Sequence, residues 1–356
     1  MIIRPFKSED NSALLELEKL CPQGNESYAI NADRNPDVTA RYKIYNNWKL
    51  IVAEEDGKVT GSVGWTVKGQ DKRYVYLTEI NVHPDFQGKG IASKLVKEVE
   101  KSADDAGADH IYCYVVEPNT AARSLFRNLG YSKIRDVKAF TMSAYRKMDL
   151  DERFKIKKVD ENEIPDVVNL VNSYHSNHEH FTHHSLDSFK HHLNSIPAYG
   201  MENFWVVKDE NDILACAGLW DCSKVVESYF SKEPFMLKFM GTVYRFLGKF
   251  RKTPYLAREG ERLNLIFTAD HAFKNYDAMA SLTAHFNNLL VDWGRNYMMT
   301  HVDPDDDLLN IIKGWPHVDT LNMFSKGNKP DSDAFYVDVR DLNLAYFPLK
   351  TCSEYP

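Results

Sequence analysis

Hydrophobic positions along this chain switch between a period of two and a helical period, and the switches divide it into short elements. Ile2–Phe6 reads as a strand, followed by a helix capped near Ser8 with leucines at helical spacing. KLIVAEEDGKVTGSVGWTV places two strands around an Asp56-Gly57 turn. The pattern then predicts a strand over Tyr74–Val82 and a helix from about Gly90 to Ala106, closed by Gly107. A strand over His110–Val116, a helix over Asn119–Asn128 closed by Gly130, and strands near Tyr131–Ile134 and Val137–Ser143 follow. This order predicts a mixed α/β fold around a central sheet.

The plan then starts again. FKIKKVDENEIPDVVNLVNSY repeats strand, acidic cap and helix, and FWVVKDENDILACAGLW repeats the strand–turn–strand with a polar turn at Asp209–Asp212. The join falls at the charged stretch MDLDERF. A chain of 356 residues suits two cores better than one, so domains over 1–150 and 151–356 are expected.

Composition adds exclusions. No window approaches the ~18 consecutive apolar residues of a membrane span. MIIRPFKSED lacks the apolar run of a signal peptide, so a cytoplasmic location is expected. The five cysteines (Cys21, Cys113, Cys216, Cys222, Cys352) form no Cys-x-x-Cys pair and read as reduced structural thiols. A net charge of −7 argues against nucleic acid as a partner. The excess acid lies in residues 151–356, where a cationic substrate or plain solubility explains it.

Candidate chemistry centres on VHPDFQGKGIASKLV, a glycine turn running into a helix. Small residues there let backbone N–H groups converge on an anion at the helix N-terminus, and Lys89 adds a point charge. It is neither a P-loop nor a dinucleotide fingerprint. Gln87-Gly88-Lys89-Gly90-Ile91-Ala92 instead resembles the Gln/Arg-x-x-Gly-x-Gly/Ala loop of the GNAT superfamily of acyl-CoA-dependent N-acetyltransferases. YLTEINVHPDF before it and EPNTAARSLFRNLGY after it resemble that family's fourth strand with its bulged exit and its last helix.

The resemblance implies two GNAT-like domains, each a central, mostly antiparallel sheet flanked by helices. It implies acetyl-CoA as cosubstrate, with its pyrophosphate wrapped by Gln87, Gly88, Lys89, Gly90, Ile91 and Ala92. By the same resemblance, the Val82 backbone polarises the acyl carbonyl and the Ile80 backbone holds the pantetheine arm. Asn119 contacts that arm, or caps its helix. At the equivalent place LNLIFTADHAFKNYDAMASLTAHF has no such glycines, so the second domain is expected to be degenerate and to shape the acceptor cleft.

For the base, strand alternation sets Leu77, Glu79 and Asn81 on one face, and Glu79 is the candidate; an ion-paired or substrate-orienting glutamate is the alternative. Phe126 stands where the family often has a proton-donating tyrosine, which leaves it a cofactor contact and leaves Tyr131 as substitute acid. The expected activity is direct acetyl transfer to a small-molecule or peptide amine in a ternary complex, no nucleophile being placed for an acyl-enzyme. A non-catalytic acetyl-CoA-binding or protein-interaction module is the rival.

Two further stretches stand out. Tyr174–His192 holds seven of the thirteen histidines, but no cysteine or metal-site spacing accompanies them, so no metal is expected from His178, His180, His183 and His184. EPFMLKFMGTVYRFLGKFRK reads as an inserted basic amphipathic helix, for which packing on the first domain or on a second subunit, as in a homodimer, is favoured over a membrane surface.

Overall fold

The computed structural model describes residues 1–24, 28–70, 72–210 and 212–342; Cys352 lies outside them. The first half of the chain forms β1 (Ile2–Pro5), α1 (Asn11–Lys19), β2 (Gln23–Gly24), β3 (Ala29–Asp33), β4 (Trp48–Glu55), β5 (Lys58–Lys68) and β6 (Tyr74–Val82). It continues with α2 (Ile91–Asp105), β7 (His110–Val116), α3 (Thr120–Asn128) and β8 (Ser132–Ser143). The second half forms β9 (Lys155–Lys158), α4 (Ile164–Tyr174), α5 (Leu186–Ser195), β10 (Phe204–Lys208), β11 (Ile213–Trp220) and β12 (Glu227–Lys232). Then come α6 (Phe235–Leu247), β13 (Leu265–Phe273), α7 (Tyr276–Asp292), β14 (Tyr297–Val302), α8 (Leu309–Ile312) and β15 (His317–Gly327).

Two compact units result, and they are not the two halves of the chain. The first comprises residues 1–137, 225–232 and 320–330, and the second the remainder. The first unit's sheet runs β1–β4–β5–β6–β7–β15 and the second's β8–β14–β13–β11–β10–β9. In each, antiparallel strands lead to one parallel pair, β6/β7 or β13/β14, and a closing strand comes from the other half of the chain. Thus Leu321–Gly327 pairs with Val116–His110, and Lys138–Ser143 pairs with Val302–Tyr297. A division at residue 150 misses this exchange. The two strands expected at 131–143 are one, because Arg135-Asp136 contains neither the Gly nor the Pro that would break it. The late stretch DAFYVDVRDL makes a single parallel bridge, Phe335 to Glu179.

The first unit's sheet carries helices on both faces. Ile91, Leu95, Val96 and Val99 of α2 bury against Ile51, Ala53, Val63 and Val75. On the opposite face Leu14 and Leu17 of α1 meet Leu50 and Val52. In the second unit, Leu282, Phe286 and Leu290 of α7 fill the equivalent place over Ala215, Ala217 and Leu219.

Candidate functional site

The central strand β6 contains an extra residue. Its register against β5 passes from Asn81↔Ser62 to Thr78↔Gly64, so Val63 alone faces Glu79 and Ile80. Glu79 takes a left-handed φ of 56° to make this bulge. Beyond it the sheet opens: parallel pairing with β7 ends at Tyr76↔Tyr112, though the strands run on to Val82 and Val116. The His83 N–H donates to Thr60 O on β5, so alternation turns the N–H groups of Ile80 and Val82 away from β5 and into the gap. The Val82 carbonyl accepts from Gln87 Nε2 at 3.3 Å and from the Cys21 thiol at 3.4 Å.

The glycine turn lies directly after this strand. Gly88 and Gly90 have φ of 77° and 75°, which strongly favour glycine, and a Cβ at either would meet no atom within 4 Å. Gly90 is the N-cap of α2 and offers its first turn no side-chain acceptor. Gln87 and Lys89 are exposed, and Lys89 Nζ lies 4.3 Å from the Phe86 ring centroid. Ile91 is buried in the core and Ala92 half-buried, so these two face the turn with backbone alone. The residues present thus fit a diphosphate group: an open helix N-terminus without a side-chain cap, beside the backbone N–H groups of a glycine turn.

Glu79 does not share a face with Leu77, as strand alternation implied. The bulge resets the period, leaving Leu77 in the α2 core and turning Glu79 toward α1. There its Oε1 meets both the Arg34 guanidinium and Arg41 Nε, the latter at 2.6 Å, and its side chain is only 7% exposed. Arg34 also donates to Glu18 Oε1 at 2.6 Å, so two carboxylates balance two guanidiniums out of water. Neither Oε2, on Glu18 or Glu79, has a hydrogen-bond partner. Burial pushes the Glu18 carboxyl up to about 7. Sequence reasoning missed Glu18, although it lies one turn from Leu14 on the apolar face of α1 and so was a visible anomaly. Nothing local marked Arg34 or Arg41.

Asn119 caps α3, its Oδ1 accepting from Ala122 N–H at 3.0 Å, which leaves its amide NH2 for other use. Phe126 is a core residue, set 5.1 Å from Tyr131 and stacked at 6.1 Å on Phe324, and presents no surface for a cofactor contact. Tyr131 is buried beside Lys326, whose strand partner Ile111 lies at the start of β7, whereas the gap opens beyond Tyr112. Burial also raises its phenol well above the usual range. The register therefore sets Tyr131 away from the gap.

The second unit repeats the bulge and the gap. Ala217 faces Asp270 and His271, Asp270 has φ of 49°, and pairing of β13 with β14 ends at Phe267↔Met299. Here both features are closed over. His192 Nε2, Tyr199 OH and Tyr336 OH contact the Asp270 carboxylate at 2.8, 2.8 and 2.6 Å, and against burial they hold it far below the usual carboxylate range. Only Lys274 and Asn275 separate β13 from α7, where residues 83–90 separate β6 from α2. Asn275 caps α7 itself, accepting from Ala278 N–H at 2.9 Å.

The histidine-rich stretch is absorbed into this unit: His175 Nδ1 meets His178 Nδ1 at 2.9 Å, His184 packs on His192, and His180 packs on Phe335. Among the described residues no group of three or more His, Cys, Asp or Glu is arranged to hold a metal ion.

The acetyltransferase (GNAT) family matches residues 13–131, the stretch that holds the bulge, gap and turn. An acetyltransferase of Pectobacterium atrosepticum is 30% identical over 135 residues, covering 38% of this chain and 89% of that protein. A GCN5-related N-acetyltransferase from Sphaerobacter thermophilus shares the fold (TM-score 0.60, 13% identity, 95% of this chain and 98% of that one). So does a tandem GNAT protein from the clavulanic acid biosynthesis pathway (TM-score 0.59, 10% identity, 93% and 99%). A GCN5-related glucosamine N-acetyltransferase region of a fungal multi-domain GH3 β-N-acetylglucosaminidase superposes with TM-score 0.62 at 15% identity; there 91% of this chain spans 38% of that protein. With a homologue at this level over most of its length, and with the loop and bulged strand in place, the chain belongs to the GNAT family of acetyltransferases.

Proposed function

We propose that the protein transfers an acetyl group from acetyl-CoA directly to an amine, using the first unit alone to hold the cosubstrate. The observation that carries this reading is the adjacency, in one unit, of the N–H-lined gap after Tyr76↔Tyr112 and the open glycine turn at α2. The backbones of Gly88, Lys89, Gly90, Ile91 and Ala92 would hold the pyrophosphate, with the Gln87 side chain bracing the turn on Val82. Ile80, Val82 and the free amide of Asn119 would hold the pantetheine arm. Bound there, acetyl-CoA supplies an acetyl group activated as a thioester.

The chain's own residues then do three things. The Val82 N–H polarises the acyl carbonyl from a fixed strand position. The Glu18–Arg34–Glu79–Arg41 network takes up the amine proton, Glu79 as the member next to Ile80 and Glu18 as the member that titrates near neutral pH. Burial keeps the Cys21 thiol protonated and bonded to the Val82 carbonyl, which supports direct transfer over an acyl-enzyme. Residues 227–232 of the second half pair with β3, the strand that leads into Arg34, so the acceptor side of the first unit draws on both halves of the chain. The second unit, with its short capped turn and enclosed Asp270, is proposed to bind no cosubstrate.

Isothermal titration of acetyl-CoA into the full chain tests this. We expect one site per chain, abolished by Gly90→Glu; no binding by the wild type overturns the reading. A panel of amines, followed by CoA release, separates transfer from the second reading, a non-catalytic acetyl-CoA binder, which the loss of a hydroxyl at Phe126 favours. Binding without release for any amine would establish the latter.

A further inference from the structure

The helix α6 and the turn after it carry a surface that acetyl transfer does not use. Phe235, Phe239, Phe246 and Phe250 are 82%, 60%, 61% and 78% exposed, with Met236 and Val243 beside them. At 3.6 residues per turn the five from Phe235 to Phe246 share one face, which Phe250 extends. The opposite face holds the buried Leu237 and Gly241, so this strip is the exposed side of α6. Lys238, Arg245 and Lys249 line one flank of the strip. From Pro234 to Arg258 there are six Lys or Arg and no Asp or Glu, in a chain of net charge −7.

We infer that this strip is a docking surface for an anionic phospholipid bilayer. A two-fold contact with a second copy would set Lys238, Arg245 and Lys249 against their own equivalents, with no acid in the segment to neutralise them. Recognition in a protein groove wraps much of a helix, whereas α6 offers one narrow exposed face, its other side being buried. That geometry suits a flat surface, phenyl rings entering the acyl boundary and cations meeting lipid phosphates. Favourable interaction of three cations with the lipid surface corresponds to a partition on the order of a hundredfold stronger than onto neutral lipid.

Co-sedimentation of the full chain with phosphatidylcholine vesicles, with and without about a third phosphatidylglycerol, tests the assignment. Binding should require the anionic lipid, fall with added salt, and drop at least about tenfold in Phe239→Ser/Phe246→Ser. Thermal unfolding of that double variant, expected to match the wild type, shows that the fold of the unit carrying α6 survives. No binding to anionic vesicles at low salt overturns the proposal, as does equal binding by the double variant. A dimer seen by light scattering and dissolved by the same substitutions would assign the face to a second copy instead. Equal competition by soluble polyglutamate would assign it to an acidic protein; either result overturns the lipid reading.

Discussion

His301 offers the sharpest test of how the second unit is built. It lies in β14 opposite Ala139, stacked 5.7 Å from Phe267 at an interplanar angle of 11°. Neither ring nitrogen has a hydrogen-bond partner. Burial alone lowers it from 6.5 to about 3. The folded value is depressed, so its contribution to stability is present above the unfolded value and is lost as pH falls toward the folded one. At about pH 5 the unfolded chain binds nearly a full proton that the folded chain refuses. At about 1.4 kcal/mol per pH unit, the loss from this one residue between about pH 7.5 and 5 is about 2 kcal/mol. His301→Phe keeps the stack, removes the titration and removes two unpaired polar atoms. At about pH 7.5 it should be more stable by about 1 kcal/mol. Urea unfolding at both pH values, on wild type and variant, measures the difference. His175 and His184 are depressed by burial in the same sense and Glu18 is raised in the opposite one, so only the difference between the two proteins is diagnostic. A variant whose pH dependence matches the wild type to within about 0.5 kcal/mol would refute a neutral, unpaired His301.

Other expectations concern the first unit. If the buried network takes the amine proton, kcat/KM rises with pH through about 7. Glu18→Gln should remove that limb, and Glu79→Gln should lower kcat by about 10²–10⁴ at every pH; an unchanged profile in Glu18→Gln removes Glu18 from the proton path. Gly64 and Gly218 pair with Thr78 and Ala269, each next to a bulge, and a Cβ there would come within 2.0 Å of the Tyr42 ring and 2.1 Å of the Tyr199 hydroxyl. Either Gly→Ala change should destabilise its unit by about 2 kcal/mol or more, read by thermal unfolding, with Gly64→Ala also displacing the ring beside Glu79. Gly90→Ala, with no atom near its Cβ, should cost only the strain of a left-handed alanine, about 1 kcal/mol.

Local features were legible in the sequence and long-range ones were not. Gly88 and Gly90 before an amphipathic run identify α2 and its turn, because left-handed backbone and helical spacing are written in neighbouring residues. The element order of the first half follows from the same signals except for β2 and β3, which the pattern does not predict, and β8, which it divides into two strands. The bulge came only with the family resemblance; alternation could not place it at Glu79, since a period of two cannot show an inserted residue, and with it went the direction of the side chain. Arg34 and Arg41 reach Glu79 across 45 and 38 positions, and no pattern in the chain pairs them. Tyr131 looked free to act because its distance from the gap is a property of the sheet register. In α6 the periodicity identified the helix, while the exposure of its phenylalanine face is set by what the rest of the fold leaves uncovered.

The exchanged strands also govern when this protein can be finished. The first unit holds the glycine turn and the gap within residues 1–137, yet the strand that closes its sheet ends at Gly327. At about 5–20 residues per second, a ribosome takes on the order of ten to forty seconds to add the residues between them. Until then the outer edge of β7 is unpaired and open to other strands. A chain ending at residue 150 would remain permanently in that state. It should be recovered as aggregate or bound to chaperones, and supplying residues 151–356 as a separate chain during synthesis should rescue it.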